Sequence, residues 1–283
     1  MPTELEKRRD HIQDWLMSHE DRLERIATDY LSPARAVEML INLGTDNERV
    51  LQCRPLTLWR CIQVALETGL SISGAHGQLW VLPFKNSRAN AYDAVPVIGY
   101  KGYVELLGRG ENPALVMPSL VYDGEEFDYH KGSGHDDAQM IRHKPDIRLR
   151  SRLVHEIGGA DGTSLRQIAE AMNDRCIAAY THVKYANGLT SCWLVDRVEL
   201  DEAEQQSPGK NQPGSLWRDP QLKKWMWLKT VIRQHCKYLG MGDGPGAKRA
   251  KEIDDHVDST SVENAMDQMG RLGFDDPEGE PNA

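Results

Sequence analysis

Nowhere in the 283 residues is there a run approaching the roughly 18 apolar residues that a membrane-spanning helix needs. The opening stretch, "MPTELEKRRDHIQDWLMSHEDRLERI", is dense in charge and lacks the apolar centre of a secretory signal. A cytoplasmic protein with no membrane partner is therefore expected. Cysteine is scarce: Cys53, Cys61, Cys176, Cys192 and Cys236 are odd in number, widely spread and form no C-x-x-C pair. That spacing argues against a disulfide framework or a zinc site and leaves five small buried hydrophobes. The fingerprints of nucleotide binding, G-x-x-x-x-G-K-[ST] and G-x-G-x-x-G, are missing, as are G-x-S-x-G, H-E-x-x-H and any Cys-His signature.

The chain is long enough for one large domain or two small ones, and its apolar content allows a sizeable core. Its net charge of -9 is unevenly placed. From Glu252 onward there are ten acidic residues and one basic one; residues 1 to 251 hold 33 of each sign. The acidity belongs to the tail, so local basic patches decide whether the body binds a polyanion.

Apolar spacing predicts a charged helix over residues 4–28, a second over 32–43 with Ser32 as cap, and a third over 56–68 stopped by Gly69. "GQLWVLPFK" and "YDAVPVIGY" read as paired strands, followed by a helix at 103–109. "ALVMPSLVYDGEEFDYH" reads as a hairpin turning at Asp123-Gly124, and "AQMIRH" as a further strand. Residues 145–174 are less regular, with a short helix over 164–172. "RCIAAYTHVKYANGLTSCWLVD" is the clearest hairpin, turning at Asn187-Gly188. A helix over 220–239 follows, and the glycines from Gly240 to Gly246 end order there. The acidic remainder is expected to be disordered, or weakly helical around Val262–Met269. Helices, antiparallel hairpins and a long final helix make an α+β pattern.

Gly99-Tyr100-Lys101-Gly102 stands where a strand becomes a helix. Glycines can admit a phosphate to backbone amides at a helix N-terminus, with Lys101 adding charge and Tyr100 and Tyr103 adding rings. They can equally make a tight, empty corner; spacing leaves both open. On the last helix Lys229, Arg233 and Lys237 recur every four residues, and no acid occurs from Gln221 to Met241. That suits contacts to a nucleic-acid backbone. Trp225, Leu228, Ile232, Cys236 and Leu239 mark the adjacent face as buried. A third basic group, Arg142, His143, Lys144, Arg148, Arg150, Arg152 and His155, either lines a groove or forms an exposed arm. Phe84-Lys85, Tyr100-Lys101, Lys184-Tyr185, Trp217-Arg218, Lys224-Trp225 and Lys237-Tyr238 are basic–aromatic neighbour pairs, which suit single-stranded nucleic acid. The alternative is a metal-dependent nuclease built on Asp123, Glu125, Glu126 and Asp128, with His130, His135, Asp136 and Asp137. Against it, acids around an Asp-Gly turn are what a solvated turn contains.

In order along the chain, "ALETGLSISGAHGQLWVLPF", "VIGYKGYVELLGRG", "VYDGEEFDY", "IRHKP", "AAYTHVKYANG" and "SLWRDPQLKKWMWLKTVIRQHCKYL" resemble the RecT family of phage and prophage single-strand annealing recombinases. The resemblance runs from about Val37 to Leu239. It implies a DNA annealing protein without ATPase or nuclease activity, which loads onto single strands exposed by a partner 5′→3′ exonuclease. It further implies pairing to an annealed duplex, and rings or helical filaments of many copies. No cofactor is implied, with Mg2+ at most a counterion of the DNA; the cell would be a bacterial host, whose single-strand binding protein is a further candidate partner. Tyr100, Lys101, Trp217, Lys229, Thr230, Arg233 and Lys237 fall on the family's motif positions. The chain departs from the pattern in a longer segment at 146–174, which puts Arg148 to Arg152 in doubt, and in a second tryptophan, Trp227, in "MWLKT".

The combined expectation is a curved antiparallel sheet backed by helices, with subunit contacts from an N-terminal helical region, residues 1–53. The DNA-binding core would be residues 54–241 and the acidic, mostly disordered tail residues 242–283. That tail either competes with DNA for the basic groove, contacts a partner, or only keeps the protein soluble.

Overall fold

The computed structural model describes residues 2–109, 112–132, 140–157, 164–207, 210–211, 215–239, 245–258, 274 and 276–277. The chain forms two compact units, Met1–Glu111 with Gly240–Ala283, and Asn112–Leu239. The boundary expected after residue 53 thus falls inside the first unit, and the region expected as one core divides between the two.

In the first unit, Thr3 caps α1 (Glu4–Met17) by accepting from the Glu6 amide while the Glu6 carboxylate accepts from the Thr3 amide. The helix breaks at Ser18 and restarts as α2 (Glu20–Glu24), so the single helix expected here is two. Pro33 and Pro55 open α3 (Pro33–Asp46) and α5 (Pro55–Thr68), where a missing N–H costs nothing; α4 (Glu48–Leu51) is a single turn between them. Ile12, Leu16, Leu23, Leu40, Leu58 and Ile62 are almost without exposure, and Trp15 meets Trp59 edge-on at 5.9 Å. The expected hairpin is β1 (Leu79–Asn86) and β2 (Ala91–Ile98), with Leu79 opposite Ile98. It is tied to the start of α5 by Arg54, which donates to Asp93 from Nε at 2.5 Å and from Nη2 at 2.9 Å. Asp93 is buried, and Asn86 also donates to it, so its charge is fully coordinated. This packing explains why the hairpin belongs with the N-terminal helices. The chain leaves β2 directly into α6 (Tyr100–Arg109).

The second unit carries β3 (Ala114–Tyr122), β4 (Glu126–His130), β5 (Met140–Lys144), α7 (Leu149–Ile157), α8 (Leu165–Asp174), β6 (Cys176–Tyr185), β7 (Thr190–Asp196), α9 (Arg197–Gln206) and α10 (Pro220–Tyr238). The Asn187-Gly188 hairpin is there, β6 against β7, with Gly188 at φ +89° as the turn requires. The Asp123-Gly124 hairpin is not: β3 pairs with β6 in the order β3-β6-β7, and β4 pairs with β5 in a sheet of its own. The reason lies in Glu125. Its buried carboxylate accepts from the Tyr122 amide at 2.7 Å and the Asp146 amide at 2.9 Å, and meets His143 Nε2 at 3.0 Å. That clasp draws β4 toward β5 instead of β3. Within β3, a proline at 118 is tolerated because the strand lies at the sheet's edge.

The fold is α+β with open antiparallel sheets, and α10 backs one face of the three-stranded one. Trp227 and Val231 of α10 are fully buried against Cys176, Ala179, Val195 and Leu200. His235 is buried beside them, its Nδ1 2.6 Å from Thr181 Oγ1 and its Nε2 2.9 Å from Ser191 Oγ. Burial, and secondarily the nearby His182, pushes its pKa from 6.5 down to about 4. As pH falls below 6.5 the unfolded chain takes up a proton that the folded chain refuses until about pH 4. Stability should therefore fall across that window, by up to about 3 kcal/mol. Urea unfolding of wild type and His235→Gln at several pH values tests this. The variant should lose that part of the pH dependence; equal slopes in both would contradict it.

α11 (Pro245–Asp258) returns to the first unit. Ala247, Ala250 and Ile253 are buried, and Arg249 Nε bonds Glu67 Oε2 at 2.6 Å. The disordered tail expected from residue 242 is corrected over this span: three apolar residues spaced by three make an anchoring face that the surrounding charge disguises. The helix expected around Val262–Met269 lies outside the described residues. All five cysteines are buried, as expected. No helix among the described residues is long and apolar enough to cross a membrane.

Candidate nucleic-acid interface

The Gly-Tyr-Lys-Gly corner sits in the first unit. Gly99 donates its amide to Gln78 O at 2.8 Å, and Gly102 donates to Gly99 O at 2.9 Å. A Cβ on Gly99 would collide with Gly77 O, and one on Gly102 with Gln78 O. Both glycines therefore serve a close approach between the first turn of α6 and the entry to β1. That is the tight-corner role which the spacing left open for them. What remains outward is Lys101. Its neighbour one turn on, Glu105, is held by Arg109 Nε at 2.9 Å and Gln78 Nε2 at 3.3 Å. Among the described residues Lys101 makes no ion pair. Tyr100 is half-buried beside it, and Lys85 is exposed near the end of β1.

In the second unit, Lys229, Arg233 and Lys237 lie along one side of α10, one turn apart. Burial, and then the Arg233 charge, hold the Lys229 ammonium below its ordinary pKa. The helix itself supplies no acid to relieve that repulsion. An anion at this stripe would meet two or three cations at once.

The other expected contacts separate by geometry. Tyr103 and Trp217, expected at the nucleic acid, are core residues: Tyr103 is fully buried in the first unit, and Trp217 packs in the second with Nε1 3.1 Å from Ser207 Oγ. Thr230 gives its hydroxyl hydrogen to Met226 O at 2.9 Å. Lys184 is exposed on the sheet face opposite α10, since Thr181 and its alternates face the helix. Arg142 and Lys144 lie opposite Asp128 and Glu126 across β4–β5, with Lys144 Nζ 3.7 Å from Glu126. Facing acids weaken both as phosphate ligands. Arg152 pairs with Asp146, and His143 is locked in the clasp with Glu125 and with Tyr180. Nothing is described for the Arg150 side chain.

Two aromatic residues of the basic–aromatic pairs face outward. Trp225 is 55% exposed with Lys224 Nζ 5.3 Å from its ring centroid, and Tyr238 is 71% exposed and stacked on Trp193 at 4.5 Å. Helical spacing had placed Trp225 on the buried face; the tryptophan that faces the sheet is Trp227. The basic residue preceding each, Lys224 and Lys237, is the signal that marked both in the sequence. In the first unit, Trp80 is partly exposed and lies against Gly77, as Lys101 does.

The acidic cluster does not converge. Glu125 is committed to backbone amides and His143, and Glu126 lies near Lys144. Among the described residues no three His, Cys, Asp or Glu side chains could hold a metal ion; His135, Asp136 and Asp137 lie outside them.

Comparison with known proteins agrees with the motif order. Protein RecT of Escherichia coli (strain K12) is 23% identical over 210 residues, which are 71% of this chain and 66% of that protein. The chain thus spans just under two thirds of that relative's length. The RecT family model matches residues 36–266, more than half of the chain. A match of that extent, across both compact units, places the chain in the RecT family.

Proposed function

We propose that the protein binds single-stranded DNA and anneals it to a complementary strand without ATP, as an oligomer assembled along the DNA. The observation that carries this reading is the basic stripe of α10, with Lys229, Arg233 and Lys237 one turn apart on one rigid helix and Lys229 held close enough to Arg233 to feel its charge. Annealing any sequence requires contacts to phosphate and sugar while base edges stay free. A row of cations on a rigid helix does that; Lys101 adds a second point of charge in the other unit. Exposed Trp225 and Tyr238 offer sequence-tolerant stacking. Pairing itself supplies the driving force, so no hydrolysis is needed. Modest affinity per copy suffices when neighbouring copies share a strand.

The family role in DNA annealing and recombination makes a 5′→3′ exonuclease the natural source of single strands, and the bacterial cytoplasm the place of action. A host single-strand binding protein is the second partner of this reading. The test is mixing complementary labelled oligonucleotides with the protein, with and without ATP, and with Mg2+ or Mn2+. Faster pairing independent of ATP, with both strands intact, supports the reading. Binding without faster pairing would make it a packaging protein; cleavage lost in Asp123→Ala and Glu126→Ala would make it a nuclease.

A further inference from the structure

Beyond α11, Phe274, Asp276 and Pro277 make contacts with helices of the first unit. The Phe274 ring lies under two guanidiniums, with Arg249 Cζ 4.5 Å and Arg60 Cζ 5.7 Å from its centroid. Two residues on, the Asp276 carboxylate receives a bidentate pair from Arg60, Nε to Oδ1 at 3.0 Å and Nη2 to Oδ2 at 2.5 Å. Arg22 Nη2 donates to Asp276 O at 3.3 Å, and Pro277 is buried. Arg60 of α5 and Arg249 of α11 thus converge on one aromatic ring, Arg60 also holds one anion, and Arg22 of α2 holds the backbone carbonyl beside it. Arg60 and Arg249 are each less than one fifth exposed, so the seat is shaped, not a loose surface encounter.

A stackable ring a short distance from an anionic group is also what one nucleotide presents. Guanidiniums bind base faces through cation–π contact and phosphates through paired hydrogen bonds. Glu67 balances Arg249 and Glu252 lies beside it, while Asp276 is the carboxylate on Arg60. Removing the tail therefore leaves the bidentate position of Arg60 to be filled.

We propose that this arginine seat is a second nucleic-acid site of the first unit, taking one nucleotide with its base in the Phe274 position and its phosphate in the Asp276 position, and that the chain's own tail occupies it until DNA displaces it. The inference rests on the DNA-binding reading above. Because the tail is attached to the protein it competes at high local concentration, and only DNA already held elsewhere on the protein competes well. The site would thus engage late, after first capture.

The test uses the full chain and a fluorescein-labelled oligothymidine, with anisotropy measured over a salt series. The Phe274→Ala/Asp276→Ala double variant should bind about fivefold more tightly at low salt, with a salt slope steeper by about 0.7 for one further phosphate. Arg60→Glu releases the tail equally but removes the cation, so it should show no gain, and adding it to the double variant should cancel the gain. Arg60→Gln serves the same purpose should the charge reversal fail to fold. An unchanged affinity and slope in the double variant, with wild type binding normally, overturns the inference and leaves the tail a structural clasp or a mimic of some peptide. An equal gain from Arg60→Glu also overturns it, since the acidic tail would then act by general repulsion. Absence of binding by wild type would instead sink the DNA-binding reading, and this inference with it.

Discussion

Reversing the charge at Arg233 is expected to weaken single-strand binding by about 100-fold at low salt, and to make the salt dependence shallower by about 1.4. Arg233 is central in the α10 stripe, one turn from both Lys229 and Lys237. A glutamate there removes one cation and sets an anion among the rest, so roughly two phosphate contacts are lost. The neighbouring lysine moves in the opposite sense: with Arg233 gone, one of the two causes holding the Lys229 pKa down disappears. Arg233→Gln should show about half the effect on a logarithmic scale, because it removes charge without reversing it. Lys101→Glu should act in the same direction but more weakly if Lys101 contributes a single contact. Fluorescence anisotropy over a salt series measures all three. A reversal variant with wild-type affinity would mean that the stripe is only a solvated face.

Trp227→Ala is expected to lower the unfolding free energy by about 4 kcal/mol, whereas Trp225→Ala should change it by no more than about 0.5 kcal/mol. The two residues are neighbours in sequence and chemically identical. Trp227 is fully buried against the three-stranded sheet, with Arg197 Cζ 5.0 Å and Lys223 Nζ 5.4 Å from its ring centroid. Its Nε1–H finds no acceptor among the described residues, so Trp227→Phe removes a buried orphan donor along with some volume. That variant should cost less than about 1.5 kcal/mol. Trp225 stands in solvent, and its replacement should leave stability alone while weakening oligothymidine binding through lost stacking. Urea denaturation of the three variants, with anisotropy on the same samples, decides the matter. Equal destabilisation by both alanine variants would mean that α10 is rotated from its place on the sheet.

This pair of tryptophans shows where reading the sequence stops. Helical period places Lys229, Arg233 and Lys237 on one line without any tertiary information, and it did so here. It cannot say which of the remaining faces meets a sheet, because that depends on strands far away in sequence. Local chemistry was equally dependable in the turns: Asn187-Gly188, Ser32-Pro33 and Gly69 each stop or start an element where expected. The α9 helix was missed although its signal was present, since Asp196 and Glu199 form a capping box at its start. The Asp123-Gly124 turn misled because a good turn does not specify which strand pairs next. There the decisive contacts are the buried Glu125 carboxylate with His143 and Asp146, which no local pattern announces. Tyr103 and Trp217 were placed at the DNA because their sequence neighbours are basic or glycine; burial removes both rings from reach. Lys101, by contrast, is exposed, and the glycines around it have the packing role that spacing left open beside the phosphate one.

Annealing through the α10 stripe is the central property proposed for this protein. The direct measurement is stopped-flow fluorescence pairing of two complementary labelled oligonucleotides without ATP, comparing wild type with Arg233→Glu at matched low salt. Wild type should accelerate pairing well beyond the protein-free rate, and Arg233→Glu, folded as shown by circular dichroism, should not. Equal acceleration by both proteins would contradict it.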